Sequence, residues 1–120
     1  MWLFTKYGFF SVVCARKNSG MGPDVETETL MIRARSKNHL ENLAKNFQDL
    51  NDYQIETTYD TDYRYRIFVP KNVWSNIMKE LSNEIDYGNF KGKVHSSMQD
   101  EEFSHCLGDI WSIMYRYQDE

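Results

Sequence analysis

Thr27-Glu28-Thr29-Leu30-Met31-Ile32-Arg33-Ala34-Arg35 alternates cleanly, with Leu30, Ile32 and Ala34 on one face of an extended chain and Thr29, Met31, Arg33 and Arg35 on the other. That is the period of a strand with one side against a core. Upstream, residues 2 to 16 are rich in aromatic and β-branched side chains and predict a strand, or a strand pair bent at Gly8. Asn18-Ser19-Gly20 through Pro23-Asp24 reads as the loop between.

Downstream, Asn38 with Glu41 three residues later resembles a capping box, and Leu40, Leu43, Ala44, Phe47 and Leu50 form the stripe of a first helix. Tyr53 to Tyr59 alternates, turns through Asp60-Thr61-Asp62 and returns as Tyr63 to Val69, which predicts a hairpin. Pro70 ends that strand ahead of a second helix striped by Val73, Trp74, Ile77, Met78, Leu81 and Ile85. Asp86-Tyr87-Gly88-Asn89 breaks it, with Gly88 or Asn89 suited to a left-handed cap. Residues 90 to 97 carry no usable period. A third helix is expected from about Met98 to Tyr117, opened by Ser97 with Asp100 and apolar along Phe103, Leu107, Ile110, Trp111 and Met114.

The order β-β-α-β-β-α-α defines an α+β fold, a single antiparallel four-stranded sheet in a ferredoxin-like, permuted split-βαβ arrangement. Its strands stand one, two, four, three, and its first two helices cover one face. Residues 1–120 form one domain, with the C-terminal helix packing on the sheet or on its edge. At 120 residues and 41% hydrophobic composition, with no repeat or low-complexity tract, one core is the natural reading.

Composition narrows the function classes. A net charge of −4 and a pI near 5.4 oppose a surface that grips nucleic acid as a whole. The basic residues Lys6, Arg16, Lys17, Arg33, Arg35 and Lys37 nonetheless crowd the first third. Cys14 and Cys106 have neither disulfide-framework nor zinc spacing, which fits a reducing cytoplasm. Ser11-Val12-Val13-Cys14 faintly echoes a lipoprotein cleavage box, but Lys6 interrupts the apolar stretch and bulky Val13 replaces the small residue such a box needs. No apolar run approaches the ~20 residues of a membrane span.

On the expected topology Arg33 and Arg35 lie beside Arg64 and Arg66, on the face opposite the first two helices. Four guanidiniums together imply anionic partners, and Phe68 and Phe9 beside them add stacking surface. Arg64-Tyr65-Arg66-Ile67-Phe68-Val69 echoes the central strand of RNA-recognition folds but lacks their glycines. Against a ligand stands a structural use: the third helix could cover this face, with Glu56, Asp100, Glu101, Glu102 or Asp109 pairing the arginines.

A second cluster would bring Asp86, Tyr87, Lys91 and His95 along a cleft between helices, and a small enzyme would draw on Asp62, Tyr87, Lys91 and His95. His39, His95 and His105 offer no set of three converging metal ligands, and no nucleophile, zinc or phosphate-loop signature occurs. The expectation is therefore a non-enzymatic binding module with no cofactor and no metal. Its expected binding residues are Arg33, Arg35, Arg64, Arg66, Phe68, Lys91 and His95. The expected partner is an acidic protein, an anionic ligand, or a second copy paired through the aromatic first strand, with a small enzyme having its site near residues 86–95, or a weak nucleic-acid binder, as the alternatives.

Met1-Trp2-Leu3-Phe4-Thr5 with Gly8-Phe9-Phe10-Ser11, Arg33-Ala34-Arg35, Asp62-Tyr63-Arg64-Tyr65-Arg66, Ile85-Asp86-Tyr87-Gly88-Asn89-Phe90-Lys91 and Ile110-Trp111 resembles a family of uncharacterised bacterial proteins of similar length. The resemblance spans nearly the whole chain and implies no activity, cofactor or catalytic residue.

Overall fold

Gly8 is where the first extended segment doubles back. In the computed structural model, which describes residues 1–18 and 22–118, β1 (Trp2–Thr5) turns into β2 (Gly8–Arg16), so the sheet has five strands rather than the expected four. Thr5 closes the turn, its hydroxyl donating to the Gly8 carbonyl and accepting from the Tyr7 amide at 3.1 and 3.0 Å. Gly8 takes φ +143°, a conformation open to glycine and strained for residues with a Cβ.

The remaining elements are β3 (Val25–Ala34), α1 (Lys37–Asn46), a 3₁₀ turn (Gln48–Leu50), β4 (Glu56–Thr57), β5 (Tyr65–Pro70), α2 (Lys71–Asn83), α3 (Phe90–Met98) and α4 (Glu101–Tyr117). All strand pairs are antiparallel, in the order β1-β2-β3-β5-β4. The expected sequence of strands one, two, four, three is thus met by β2-β3-β5-β4, with β1 added outside. The incoming hairpin strand is far shorter than the alternation of Tyr53 to Tyr59 implies. Only Glu56 and Thr57 pair, while Tyr53 and Ile55 pack against the core.

α1 begins at Lys37 after Ser36, which makes no side-chain cap, so the Asn38–Glu41 box does not open it. Phe10 and Val12 of β2, Leu30, Ile32 and Ala34 of β3, and Ile67 and Val69 of β5 turn to one face. There they bury against Leu40 and Leu43 of α1 and Trp74 and Ile77 of α2. Alternation does the sorting, because a one-residue slip would exchange the two faces.

Lys6 and Tyr7, in the β1–β2 turn, fasten the end of α2. The Tyr7 hydroxyl donates to Glu84 Oε1 at 2.5 Å and Lys6 Nζ lies 2.9 Å from the same oxygen. Burial, then the Glu84 hydrogen bond and charge, raise the Tyr7 pKa well above 10.0. Burial alone would raise Glu84, but the Tyr7 and Lys6 hydrogen bonds and the Lys6 charge outweigh it and bring the carboxyl below its usual 4.5. A depressed carboxylate contributes stability that is present above the unfolded value and lost as pH falls through the folded one. Urea unfolding should therefore show a loss of stability below about pH 4.5 that the Glu84→Gln variant shows to a smaller degree. Identical acid limbs in the two proteins would refute the assignment.

The chain gathers into two compact units, Met1–Asp86 and the segment from Tyr87 onward. In the second, the helix expected from about Met98 to Tyr117 is α4, and residues 90 to 97, which carry no usable period, form most of an additional helix, α3. Asn89, at φ −141° rather than left-handed, caps α3 by accepting from the Gly92 amide at 3.2 Å. Gln99 supplies the left-handed turn at φ +52°, and Asp100 caps α4 by accepting from the Phe103 amide at 3.0 Å. Val94, Phe103 and Leu107 are buried. Among the described residues no helix is long and apolar enough to cross a membrane.

Candidate functional site

The face of the sheet away from α1 and α2 carries Phe9, Ser11, Met31, Arg33, Arg66 and Phe68, each one residue out of phase with the core. Register sets Arg33 directly opposite Arg66 on β5 and opposite Ser11 on β2, and sets Met31 opposite Phe68. Arg33 Nη2 donates to Ser11 Oγ at 2.8 Å, and its guanidinium lies 4.6 Å from the Tyr63 ring centre. Arg35 takes the same ring at 4.4 Å and donates to the Asp62 carbonyl at 2.7 Å. Arg66 Nη2 donates at 2.8 Å to Thr61 Oγ1 and to the Tyr63 carbonyl, while Nη1 meets Met31 Sδ at 3.1 Å.

These partners are rings, hydroxyls, carbonyls and a thioether, which orient a guanidinium without neutralising it. The Nε atoms of Arg33 and Arg66 are buried with no hydrogen-bond partner among the described residues. Burial, and then the Arg33 charge, lower the pKa of Arg66, with Asp62 and Glu56 acting the other way. Like charges directly across a strand pair are unfavourable, so the pair is held together at a cost in free energy.

Beside the pair opens a hollow of about 530 Å³, lined by Arg16, Met31, Arg33, Glu56, Thr58, Thr61, Asp62, Arg66 and Phe68. Three guanidiniums face two carboxylates there. On the other flank Phe9 stacks on Phe4 at 4.5 Å, meets Trp2 edge-on at 6.0 Å and Tyr63 at 6.3 Å, so the arginines border an aromatic row.

Of the expected residues, Arg33, Arg66 and Phe68 line the hollow, Arg35 lies beside it over the Tyr63 ring, and Arg64 is exposed, 5.4 Å from the Tyr59 ring. Tyr63, Ser11 and Arg16 were not among the expected residues. Tyr63 had a signal, an aromatic beside a run of arginines, whereas Arg16 reaches the hollow only through the sheet.

Lys91 and His95 belong to α3, in the second unit. Lys91 Nζ sits 4.6 Å from the Trp111 ring centre, Tyr87 packs against Phe90 at 6.2 Å, and His95 is exposed. Among the described residues no group of three or more His, Cys, Asp or Glu side chains could hold a metal ion, and Cys14 and Cys106 are free. No protein-family model, curated protein or solved structure matches the chain.

Proposed function

We propose that the protein is a non-enzymatic binding module whose arginine-bearing sheet face receives a carboxylate or similar anionic group of an acidic protein. The observation that carries this reading is the Arg33–Arg66 pair, two partly buried like charges opposed across the sheet beside a hollow. An anion seated between them relieves their repulsion and accepts charge-assisted hydrogen bonds from planar donor forks. Met31 and Phe68 offer it an apolar floor.

Glu56 and Asp62 on the same wall refine the choice of partner. Three guanidiniums against two carboxylates leave the hollow with a single excess positive charge, which suits one carboxylate and suits a polyphosphate backbone poorly. The overall charge of −4 works in the same direction.

Calorimetric titration with a hexaglutamate peptide tests the reading. The wild type should bind and lose affinity as salt is raised, and the Arg33→Ala/Arg66→Ala variant should bind at least ~10-fold more weakly while retaining its circular dichroism spectrum. Undiminished binding by that variant would remove the arginine face as the site.

A further inference from the structure

We infer that the last turns of α4 form a self-association surface, on which a second copy of the chain lies antiparallel. The first observation is a mismatch of lengths. α4 has 17 residues, about 25 Å, and α3, which packs on it, has 9, about 13 Å. Cover by α3 therefore runs out part-way: Phe103 and Leu107 are buried, Ile110 is half-buried, and Lys91 in the first turn of α3 reaches Trp111.

Beyond that point the helix remains apolar. Trp111, Ile113, Met114, Tyr115 and Tyr117 are between 54% and 81% exposed. At 100° per residue Ile113, Tyr117, Ile110, Met114 and Trp111 occupy one continuous arc, and Met114 extends the stripe that Phe103 and Leu107 bury. Side chains of this size at these exposures present several hundred Å² of apolar surface, beyond the scatter of single hydrophobic residues and approaching the roughly 800 Å² per partner of a stable complex.

Charge selects the occupant and its direction. Asp109 and Arg116 stand two turns apart on one line, bordering the apolar arc next to Ile113. A parallel second copy would set Asp109 against Asp109 and Arg116 against Arg116. An antiparallel copy sets each Asp109 against the other chain's Arg116, twice, and opposes the helix dipoles favourably. The stacked rings of Trp111 and Tyr115, 5.2 Å apart, supply aromatic anchors of the kind that dominate such interfaces.

Sedimentation velocity on the full chain decides the matter. The wild type is expected to dimerise reversibly below about 100 μM, and Met114→Asp to weaken the dimer ~30-fold or more with helix content unchanged. Asp109→Arg and Arg116→Asp should each be monomeric alone, yet form a heterodimer when mixed, because mixing restores both opposite-charge pairs. A wild type that stays monomeric at 100 μM, a dimer that survives Met114→Asp, or single-charge variants that do not associate on mixing would each overturn the proposal. Survival would assign dimerisation to another element such as the β1 edge.

Discussion

Replacing Gly8 by alanine is expected to cost the protein about 3–5 kcal/mol and to lower its melting temperature by about 15 °C or more. Two independent penalties meet at this position. The backbone φ of +143° lies where residues with a Cβ are strained. A Cβ built there would also fall 2.2 Å from His39 Cγ and 2.5 Å from its Cβ, so the obstruction is the stem of the ring rather than a movable end. His39 cannot retreat cheaply, because it is buried in the first turns of α1 and its Nδ1 accepts from the Phe9 amide at 3.1 Å, just beyond the turn. The glycine is thus what lets α1 approach the β1–β2 reversal.

Chemical denaturation of three variants separates the two penalties. Gly22 also has positive φ, +81°, but no described residue lies within 4 Å of the Cβ position, so Gly22→Ala should carry only the backbone cost of about 1 kcal/mol. In a His39→Ala background Gly8→Ala should become less harmful, since the ring atoms Cγ and Nδ1 that it strikes are gone and only the Cβ of residue 39 still obstructs it. A Gly8→Ala variant within about 1 kcal/mol of wild type would show that the turn and the helix do not meet as described.

Gly8 also illustrates what was legible in the sequence. A glycine amid aromatic and β-branched residues announced a bend, and the bend proved to be a full reversal that added a strand. The alternation of Leu30, Ile32 and Ala34 and the stripes of α1 and α2 were legible for the same reason: each buries a face whose period survives in the sequence. α3 was not, because only Val94 of its nine residues is buried and Gly92 interrupts its pattern. Its one local signal was Asn89 three residues before Gly92, a cap that could also be read as a turn. Tyr53 to Tyr59 misled in the opposite way. Its alternation is real, but Tyr53 and Ile55 serve the core while the backbone leaves β5, a tertiary choice that period-two patterning does not record. The arginine site divides along the same line. Arg33 and Arg66 follow from register, whereas Arg35, Tyr63 and Arg16 join them through the strand ends, the loops and the width of the sheet.

Neighbouring residues on β3 should separate stability from binding completely. Ile32 is fully buried on the helix-covered face, paired across the sheet with Val12 and Ile67, and its truncation to alanine removes packing that nothing else can supply. Ile32→Ala should cost about 2–5 kcal/mol, yet its folded fraction should bind hexaglutamate as the wild type does, because the other face is untouched. Arg33, one residue on, presents the converse. Arg33→Met keeps an unbranched stem of similar length, deletes one of two opposed charges together with the guanidinium over the Tyr63 ring, and removes a buried Nε that has no partner among the described residues. Loss of the Ser11 hydrogen bond offsets part of that gain, so stability should change by less than about 1 kcal/mol in either direction. Affinity should fall at least ~10-fold, since a single guanidinium no longer brackets the anion. Urea melts and peptide titrations on the two variants, read side by side, give four numbers with opposite signatures. A destabilised Arg33→Met with intact binding would mean that the arginine pair serves the fold, and the binding reading of this face would fail with it.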